Sequence, residues 1–344
     1  MPSDSAMRDA PSSPRPRVTF YTVADDTFFV GAVALLNSLR LLGHEERVVV
    51  GDVGLSPDQQ ARLEGEADVV GIGVDVEKNP LLQKPFPFML DPTGIVVIID
   101  SDMIVTRRLD DVIAAAAAGR ICLFSDETQE DRFFPEWQEL FSLRRPLRRR
   151  PSLNSGFVAL DVTQWPDLLH RWWQACASIP SAGTRALGGA WTGPYWDGDQ
   201  DALNALLMSE VPECALRIVP QFVTDLLRTV SVDDVGTLAC SRGGKQVALL
   251  HHTGTPKPWR REAWMRVRRN AYVRLLPRLL TGPDVAVRLL AADLPPWLRP
   301  DPRGKALLAV LSSVNGAARA IVRRTPPRVY RRLRRIRNRL ARES

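Results

Sequence analysis

Residues 94–102 of this chain read Gly-Ile-Val-Val-Ile-Ile-Asp-Ser-Asp, an unbroken apolar run that ends in two aspartates. A continuous run of β-branched residues is typical of a strand that is buried on both faces, as in a parallel sheet. In open α/β sheets, ligands bind at the carboxyl ends of such strands. The segment therefore indicates both the class of fold and the position of a site.

Strand-like and helix-like stretches alternate on both sides of this segment. Strands are predicted at residues 17–23, 47–50, 67–72, 94–100, 121–124, 156–160 and 247–251. Helices are predicted at residues 28–42, 56–66, 109–118, 165–179 and 199–209. This alternation predicts an α/β fold with a mainly parallel central sheet flanked by helices. Residues 126–151 and 182–196 have the composition of loops.

Charge divides the chain into an acidic body and a basic tail. Residues 259–344 hold 22 Lys or Arg against 5 Asp or Glu, a balance of +17, which leaves −10 for the remainder of a chain whose total is +7. We expect a disordered tail at residues 1–16, a catalytic domain at 17–265 and a basic helical extension at 266–344. Four scattered cysteines without a CxxC pair, and no apolar leader or membrane span, predict a cytoplasmic protein.

The two aspartates are candidate metal ligands. In extended backbone, side chains two residues apart point the same way, so Asp100 and Asp102 are expected about 7 Å apart on one side of the strand. Carboxylates so placed can share a divalent cation. They can also be capping residues before a turn. Two unpaired carboxylates beside a buried strand would be costly without a cation, which favours the metal.

A second candidate motif, at residues 251–259, reads His-His-Thr-Gly-Thr-Pro-Lys-Pro-Trp directly after a predicted strand. An imidazole added to two carboxylates gives the mixed oxygen and nitrogen ligands that suit Mn²⁺. Gly254 allows backbone amides to approach a phosphate, and Lys257 supplies a positive charge for it. The simpler interpretation is a histidine packed at a strand end and a solvated lysine.

Together these motifs resemble glycosyltransferase family 8, which has a GT-A fold, a DxD motif and a late HxxGxxKPW motif. The resemblance extends from about Arg17 to Trp264. It implies an Mn²⁺ or Mg²⁺ site formed by Asp100, Asp102 and His251.

Further motifs of the family supply expected donor contacts and reacting groups. Phe28 stands where the family has an aromatic residue that stacks on uracil. The resemblance implies that a UDP-sugar contacts Thr22, Asp25, Phe28, Lys84, Asp100, Ser101, Asn154, Ser155, Asp199, Gln200, Gly254 and Lys257. The implied catalytic residues are Asp199, Gln200 and Asn154. Whether Asp199 or Gln200 forms a covalent intermediate or only shields a front-face attack stays open.

The function that the resemblance implies is a retaining, Mn²⁺-dependent transfer of a hexose, glucose or galactose, from a UDP-sugar to a glycan or lipid-linked acceptor. Two alternatives remain. One is a phosphohydrolase of the haloacid dehalogenase type, which also ends an apolar strand in DxD but has no use for HxxGxxKPW. The other is a non-catalytic, membrane-attached scaffold with a transferase fold.

The basic tail ends in an amphipathic segment at residues 327–342, which carries Val329, Leu333, Ile336 and Leu340 on one helical face among arginines. Such a helix is expected to lie on an anionic membrane surface. We therefore expect a peripheral protein at the inner face of the cell membrane. Docking of the tail on the acidic body is one alternative, and nucleic acid, which the apolar stripe disfavours, is another.

Overall fold

The computed structural model describes residues 16–72, 80–125, 132–180, 184, 193–220, 222–223 and 227–324. The predicted amphipathic helix at 327–342 lies outside the described residues. So do all but the last residue of the predicted N-terminal tail and most of the predicted loop at 182–196.

A seven-stranded mixed sheet forms the centre of the molecule. The strands of the described residues are β1 (Val18–Ala24), β2 (Arg47–Asp52), β3 (Asp68–Gly71), β4 (Ile95–Ile99), β5 (Met103–Val105), β6 (Ile121–Ser125), β7 (Leu153–Asp161), β8 (Leu216–Ile218), β9 (Phe222–Val223), β10 (Ser231–Asp234), β11 (Ala239–Arg242), β12 (Lys245–Gln246) and β13 (Leu249–His251). The central order is β3-β2-β1-β4-β7-β6-β8. Only β7 runs antiparallel to its neighbours in this sheet. The predicted mainly parallel α/β fold is therefore confirmed.

Helices cover both faces of the sheet. They are α1 (Phe29–Leu41), α2 (Pro57–Leu63), α3 (Asp110–Ala117), α4 (Trp137–Leu140), α5 (Leu168–Ala177), α6 (Asp199–Glu210), α7 (Ala271–Thr281) and α8 (Pro302–Arg324). Apolar residues of α1, α3 and α7 belong to one hydrophobic cluster, and those of α5 and α6 belong to a second. The short helix α4 lies in the stretch 126–151 that the sequence analysis assigned to a loop.

Strand β4 explains why its sequence is apolar at every position. Ile95, Val97 and Ile99 belong to the first hydrophobic cluster, whereas Val96 and Ile98 belong to the second. Because successive side chains of a strand point to opposite faces, a strand covered on both faces loses the usual polar alternation. The carboxyl end of β4 therefore lies between the two hydrophobic clusters.

A small second sheet, in the order β5-β13-β9, connects the end of β4 to the distant residue His251. Strand β5 begins directly after Asp102 and pairs antiparallel with β13, with His251 opposite Met103. Strands β5, β8, β9, β10, β11 and β12 were not predicted. Each has two to four residues, which is too short for a hydrophobic period to be recognised.

Helix α7, which follows residue 265 in the chain, packs into the same core as α1. The Nδ2 of Asn37, which is fully buried in α1, donates to the carbonyls of Leu279 and Val287, both at 2.7 Å. Its Oδ1 accepts from the Val287 amide at 2.9 Å. The core thus continues past the predicted domain boundary at 265–266, which itself stays a prediction.

No helix in the described ranges combines the length and the apolar character that crossing a membrane requires. Helix α8 is the longest of them, and it exposes Leu307, Val310 and Val314 while burying Leu308 and Asn315. The four cysteines are free thiols.

Candidate active site

The two aspartates lie on a turn rather than on an extended strand, which corrects the geometry expected from the sequence. Strand β4 ends at Ile99, and the Met103 amide donates to the Asp100 carbonyl at 3.0 Å. After this turn, β5 lies outside the central sheet and pairs with β13. Asp100 and Asp102 therefore converge through a turn and not through the period of a strand.

His251 completes the acid pair. Its Nε2 lies 3.1 Å from Asp102 Oδ1 and 3.7 Å from Asp100 Oδ2. One ligand atom from each of the three residues lies within 4.8 Å of the others. Within the described residues, the His251 Nδ1 is buried and has no hydrogen-bond partner. Two carboxylates and an imidazole at this spacing fit a divalent ion such as Mn²⁺ or Mg²⁺.

Two buried lysines form ion pairs with these carboxylates, which are therefore not the unpaired acids that the sequence analysis assumed. Lys257 Nζ lies 2.6 Å from Asp102 Oδ2. Lys84 Nζ lies 2.8 Å from Asp100 Oδ1 and 2.7 Å from Asp199 Oδ2. Lys257 comes from a segment far from β4 in sequence, whereas Lys84 lies shortly before β4, and no local pattern shows that either lysine contacts the acids.

The protonation of this cluster follows from the ion pairs. Burial alone would raise the pKa of Asp102, but Lys257 and His251 outweigh it and hold that pKa well below its usual range. Burial alone would lower the pKa of Lys84, but Asp100 and Asp199 raise it above the ordinary value. Asp102 is therefore ionised and Lys84 is charged at neutral pH.

The expected sugar-side residues lie next to Lys84. Ser155 Oγ donates to Asp199 Oδ2 at 2.7 Å, and Lys84 Nζ lies 3.3 Å from the same hydroxyl. The Ser155 amide donates to Gln200 Oε1 at 3.3 Å. Asn154 Oδ1 accepts from the Gly156 amide at 2.8 Å. Lys84 thus links the acid pair to the start of α6, where Asp199 and Gln200 lie.

The start of α6 is held by residues that the sequence analysis did not assign to the site. Arg132 makes a bidentate ion pair with Asp201, at 2.6 Å and 2.7 Å. Trp172 Nε1 donates to the Asp199 carbonyl at 2.9 Å. Asn204 exchanges hydrogen bonds with the Leu153 backbone of β7. Arg132 lies near the start of the stretch 126–151, which has the composition of a loop, and no motif in the sequence marks it.

Close packing joins α1 to the turn of the two aspartates. A Cβ on Gly31 would overlap the Ser101 carbonyl oxygen and would lie 2.7 Å from the Trp259 ring. Trp259 Nε1 donates to the Thr27 carbonyl at 2.7 Å. The ring of Phe28 lies 5.3 Å from Lys257 Nζ, a cation–π distance. Phe28 is thereby brought next to the acid cluster.

Three expected donor contacts lie outside this network of side-chain bonds. Thr22, at the end of β1, has a buried Oγ1 without a hydrogen-bond partner among the described residues. Asp25 Oδ1 accepts from the Phe28 amide at 2.9 Å, and burial raises its pKa. Gly254 is exposed on the loop that follows β13. Their roles as donor contacts stay predictions.

Comparisons with known proteins give matches among solved structures. No family model and no curated protein sequence matches the chain. The chain is similar to WbbM, a bifunctional glycosyltransferase, with 16% identity and a TM-score of 0.49 over 79% of this chain and 50% of that chain. It thus spans about half of WbbM.

Two further matches cover most of the other protein. For galactosyltransferase LgtC in complex with donor and acceptor sugar analogues, the identity is 16% and the TM-score 0.45, over 77% of this chain and 98% of that chain. For mouse xyloside xylosyltransferase 1, the identity is 15% and the TM-score 0.40, over 70% of this chain and 99% of that chain. These proteins are named as glycosyltransferases, the class that the sequence motifs resemble. With TM-scores below 0.5, the function is argued from the site itself.

Proposed function

We propose that the chain is a retaining, metal-dependent glycosyltransferase that moves glucose or galactose from a UDP-sugar to a glycan or lipid-linked acceptor. One observation carries the proposal: the acid pair and His251 converge at the carboxyl end of β4, and Lys84 connects this cluster to Asp199. This arrangement supports the proposal of a diphosphate site next to a sugar site.

In this proposal, the metal-ligand candidates and the two lysines act together on the diphosphate of the donor. Asp100, Asp102 and His251 would hold Mn²⁺ or Mg²⁺, which would supply positive charge to the leaving group. Lys257 and Lys84 are the chain's own cations at the same place, and each can move from a carboxylate to a phosphate oxygen. Phe28, beside Lys257, offers a ring on which the uracil stacks, and Thr22 Oγ1 offers an unused hydrogen-bonding group.

The sugar-side residues act on the anomeric centre. Ser155 and Lys84 both hold the Oδ2 of Asp199, which fixes the orientation of its carboxylate. A carboxylate or amide oxygen beside the sugar stabilises an oxocarbenium-like transition state, as in glycoside hydrolysis. Asp199 and Gln200 are the groups placed for this role, and Asn154 positions the sugar next to them. Retention of the anomeric configuration is part of the proposal.

The test is nucleotide-sugar hydrolysis with and without Mn²⁺, measured for the wild type and for Asp102→Asn. We expect the variant to lose more than tenfold in Mn²⁺-dependent turnover, which corresponds to ~1.4 kcal/mol, because a metal ligand is lost. The matched control is Asp58→Asn at the exposed start of α2, which should keep wild-type turnover.

Asp102→Asn activity above about a tenth of wild type would contradict the metal assignment. Hydrolysis of a phosphomonoester without any turnover of a nucleotide-sugar would favour the phosphohydrolase alternative. Absence of UDP binding in the presence of Mn²⁺ would favour a non-catalytic scaffold.

We also propose that the protein is cytoplasmic and lies on the inner face of the cell membrane. The basic segment at 327–342 supports this location by its composition. In the described part, Trp264 and Met265 are 52% and 65% exposed, and α8 exposes its own apolar stripe. Apolar groups next to exposed basic residues such as Arg303 and Lys305 suit an anionic lipid surface.

A further inference from the structure

A polar cavity lies beside the loop that carries His251 and Lys257. It has a volume of about 720 Å³ and is formed by residues 252–256, the stretch 266–270, the segment 227–228 and one face of α8. We call it the basic cleft. None of the three metal-ligand candidates lines it. Lys257, although it belongs to the same loop, contacts Asp102 and does not line the cleft either.

The described lining of the basic cleft carries positive charge alone. Four arginines line it, Arg228, Arg266, Arg268 and Arg269, and no Asp or Glu is among the described lining residues. Arg228 and Arg269 are exposed and form no ion pair with any described residue. Like charges gathered in a concave surface repel one another and attract an anion. The planar fork of a guanidinium group matches the oxygens of a phosphate.

The walls of the basic cleft are tied together by hydrogen bonds. Arg266 Nη1 donates to the Thr255 carbonyl at 2.7 Å, which connects the stretch 266–270 to the loop. The Arg269 amide donates to Ser312 Oγ at 3.0 Å, and Asn315 Nδ2 donates to the Val267 carbonyl at 3.0 Å. Helix α8 is thereby held against the same stretch. The arginines are presented by a built structure and not by a free tail.

We propose that the basic cleft binds a phosphate or diphosphate group of a ligand other than the sugar donor. The expected donor contact Gly254 also lines the cleft. The cations expected at the donor diphosphate are the metal and Lys257, whereas those of the cleft are its four arginines. This step rests on the proposed transferase function: the ligand of the cleft is then the acceptor, and the acceptor carries a phosphate. Its phosphate comes from either a lipid-linked or a soluble acceptor.

The experiment is calorimetric titration of the full chain with inorganic pyrophosphate in EDTA, so that the donor site lacks its metal. We expect the double variant Arg228→Gln, Arg269→Gln to bind pyrophosphate at least tenfold more weakly than the wild type, because two charge-assisted contacts are lost. Arg303→Gln removes an exposed arginine of α8 outside the cleft and should change the dissociation constant by less than about twofold. Lys257→Gln should weaken pyrophosphate binding less than the double variant does, because Lys257 does not line the cleft.

Loss of pyrophosphate binding in Lys257→Gln but not in the double variant would overturn the proposal, as would absence of binding by the wild type. Titration with geranyl diphosphate distinguishes the two sources. If geranyl diphosphate binds more tightly than pyrophosphate and its binding depends on the arginines, the cleft is assigned to a lipid-linked phosphate. If the two ligands bind equally, the cleft is assigned to a soluble phosphate. UDP-sugar hydrolysis by the double variant should equal that of the wild type. Absence of hydrolysis in both, with arginine-dependent pyrophosphate binding, would reject the proposed transferase function and leave the cleft standing.

Discussion

Asp102 shows how the state of one carboxylate depends on neighbours that are distant in sequence. Lys257 and His251 lie at 2.6 Å and 3.1 Å from its oxygens, and they hold its pKa below the usual range despite burial. A carboxyl whose pKa is lowered by folding contributes stability above its unfolded pKa of about 3.9, and this contribution is lost as pH falls.

The first prediction follows from that linkage. In EDTA, Asp102→Asn should unfold at lower urea concentration than the wild type at pH 7, because Lys257 loses its partner. The gap in unfolding free energy should narrow as the pH falls below about 4, because the Asp102 carboxylate of the unfolded wild type then begins to bind a proton while that of the folded protein stays ionised. Urea titrations at pH 7, 5 and 3 measure it. A gap that is constant across this range would contradict the ionised state assigned to Asp102.

Gly31 is a second residue whose role lies in space rather than in a motif. Gly31→Ala should lower the unfolding free energy by about 1–3 kcal/mol, because its Cβ overlaps the Ser101 carbonyl and meets the Trp259 ring. We also expect weaker UDP binding, since Ser101 lies between the two aspartates. The matched control is Gly71→Ala in β3, where an added Cβ meets nothing within 4 Å. Equal stability of the two variants in urea titrations would refute the close approach.

At the scale of elements, the smallest strands decide the site. Strand β5 has three residues, yet its pairing with β13 sets the register in which His251 stands opposite Met103, next to the two aspartates. A shift of one residue would turn His251 to the opposite face. The metal-ligand cluster therefore depends on a pairing between segments almost 150 positions apart in the sequence.

The link between α1 and α7 supplies a prediction about elements. Asn37→Ala should lower the unfolding free energy by about 2–4 kcal/mol, because the Leu279 and Val287 backbone groups would be left buried without partners. Asn270→Ala, which removes the N-cap of α7, should cost about 1 kcal/mol. Urea denaturation compares the two. A smaller effect for Asn37→Ala than for Asn270→Ala would contradict a shared core on both sides of residue 265.

At the scale of the whole molecule, net positive charge is concentrated in the C-terminal part of the chain. The balance of +17 in residues 259–344 contrasts with −10 in the rest of the chain. In the described part of that basic segment, α7 is buried while α8 exposes Leu307, Val310 and Val314. The protein thus presents a basic and partly apolar surface at one end of its chain.

Binding to lipid vesicles tests this distribution of charge. The full chain should co-sediment with vesicles of anionic lipid and not with neutral ones, since each basic residue near such a surface contributes ~1 kcal/mol. Truncation after Thr325 should remove most of this binding while leaving nucleotide-sugar hydrolysis unchanged. Vesicle binding by the truncated protein equal to that of the full chain would assign the membrane contact to α8 and Trp264 instead of residues 327–342.

The sequence by itself determined the mainly parallel sheet, the buried strand β4 and the residues that converge at its end. Burial on both faces can be recognised locally, because every residue of β4 must be apolar. Helices can be recognised by apolar residues that recur with the helical period. The motif residues Asp100, Asp102 and His251 were identified because their types and order carry the chemistry.

Only the tertiary structure decided how these residues meet. The ion pair of Lys84 with Asp199, that of Lys257 with Asp102, the anchoring of α6 by Arg132 and the basic cleft all join segments that are far apart in the chain. Such contacts depend on strand register and on packing between helices, which leave no periodic pattern in either partner. The sequence shows which side chains are present, and the fold decides which of them form ion pairs.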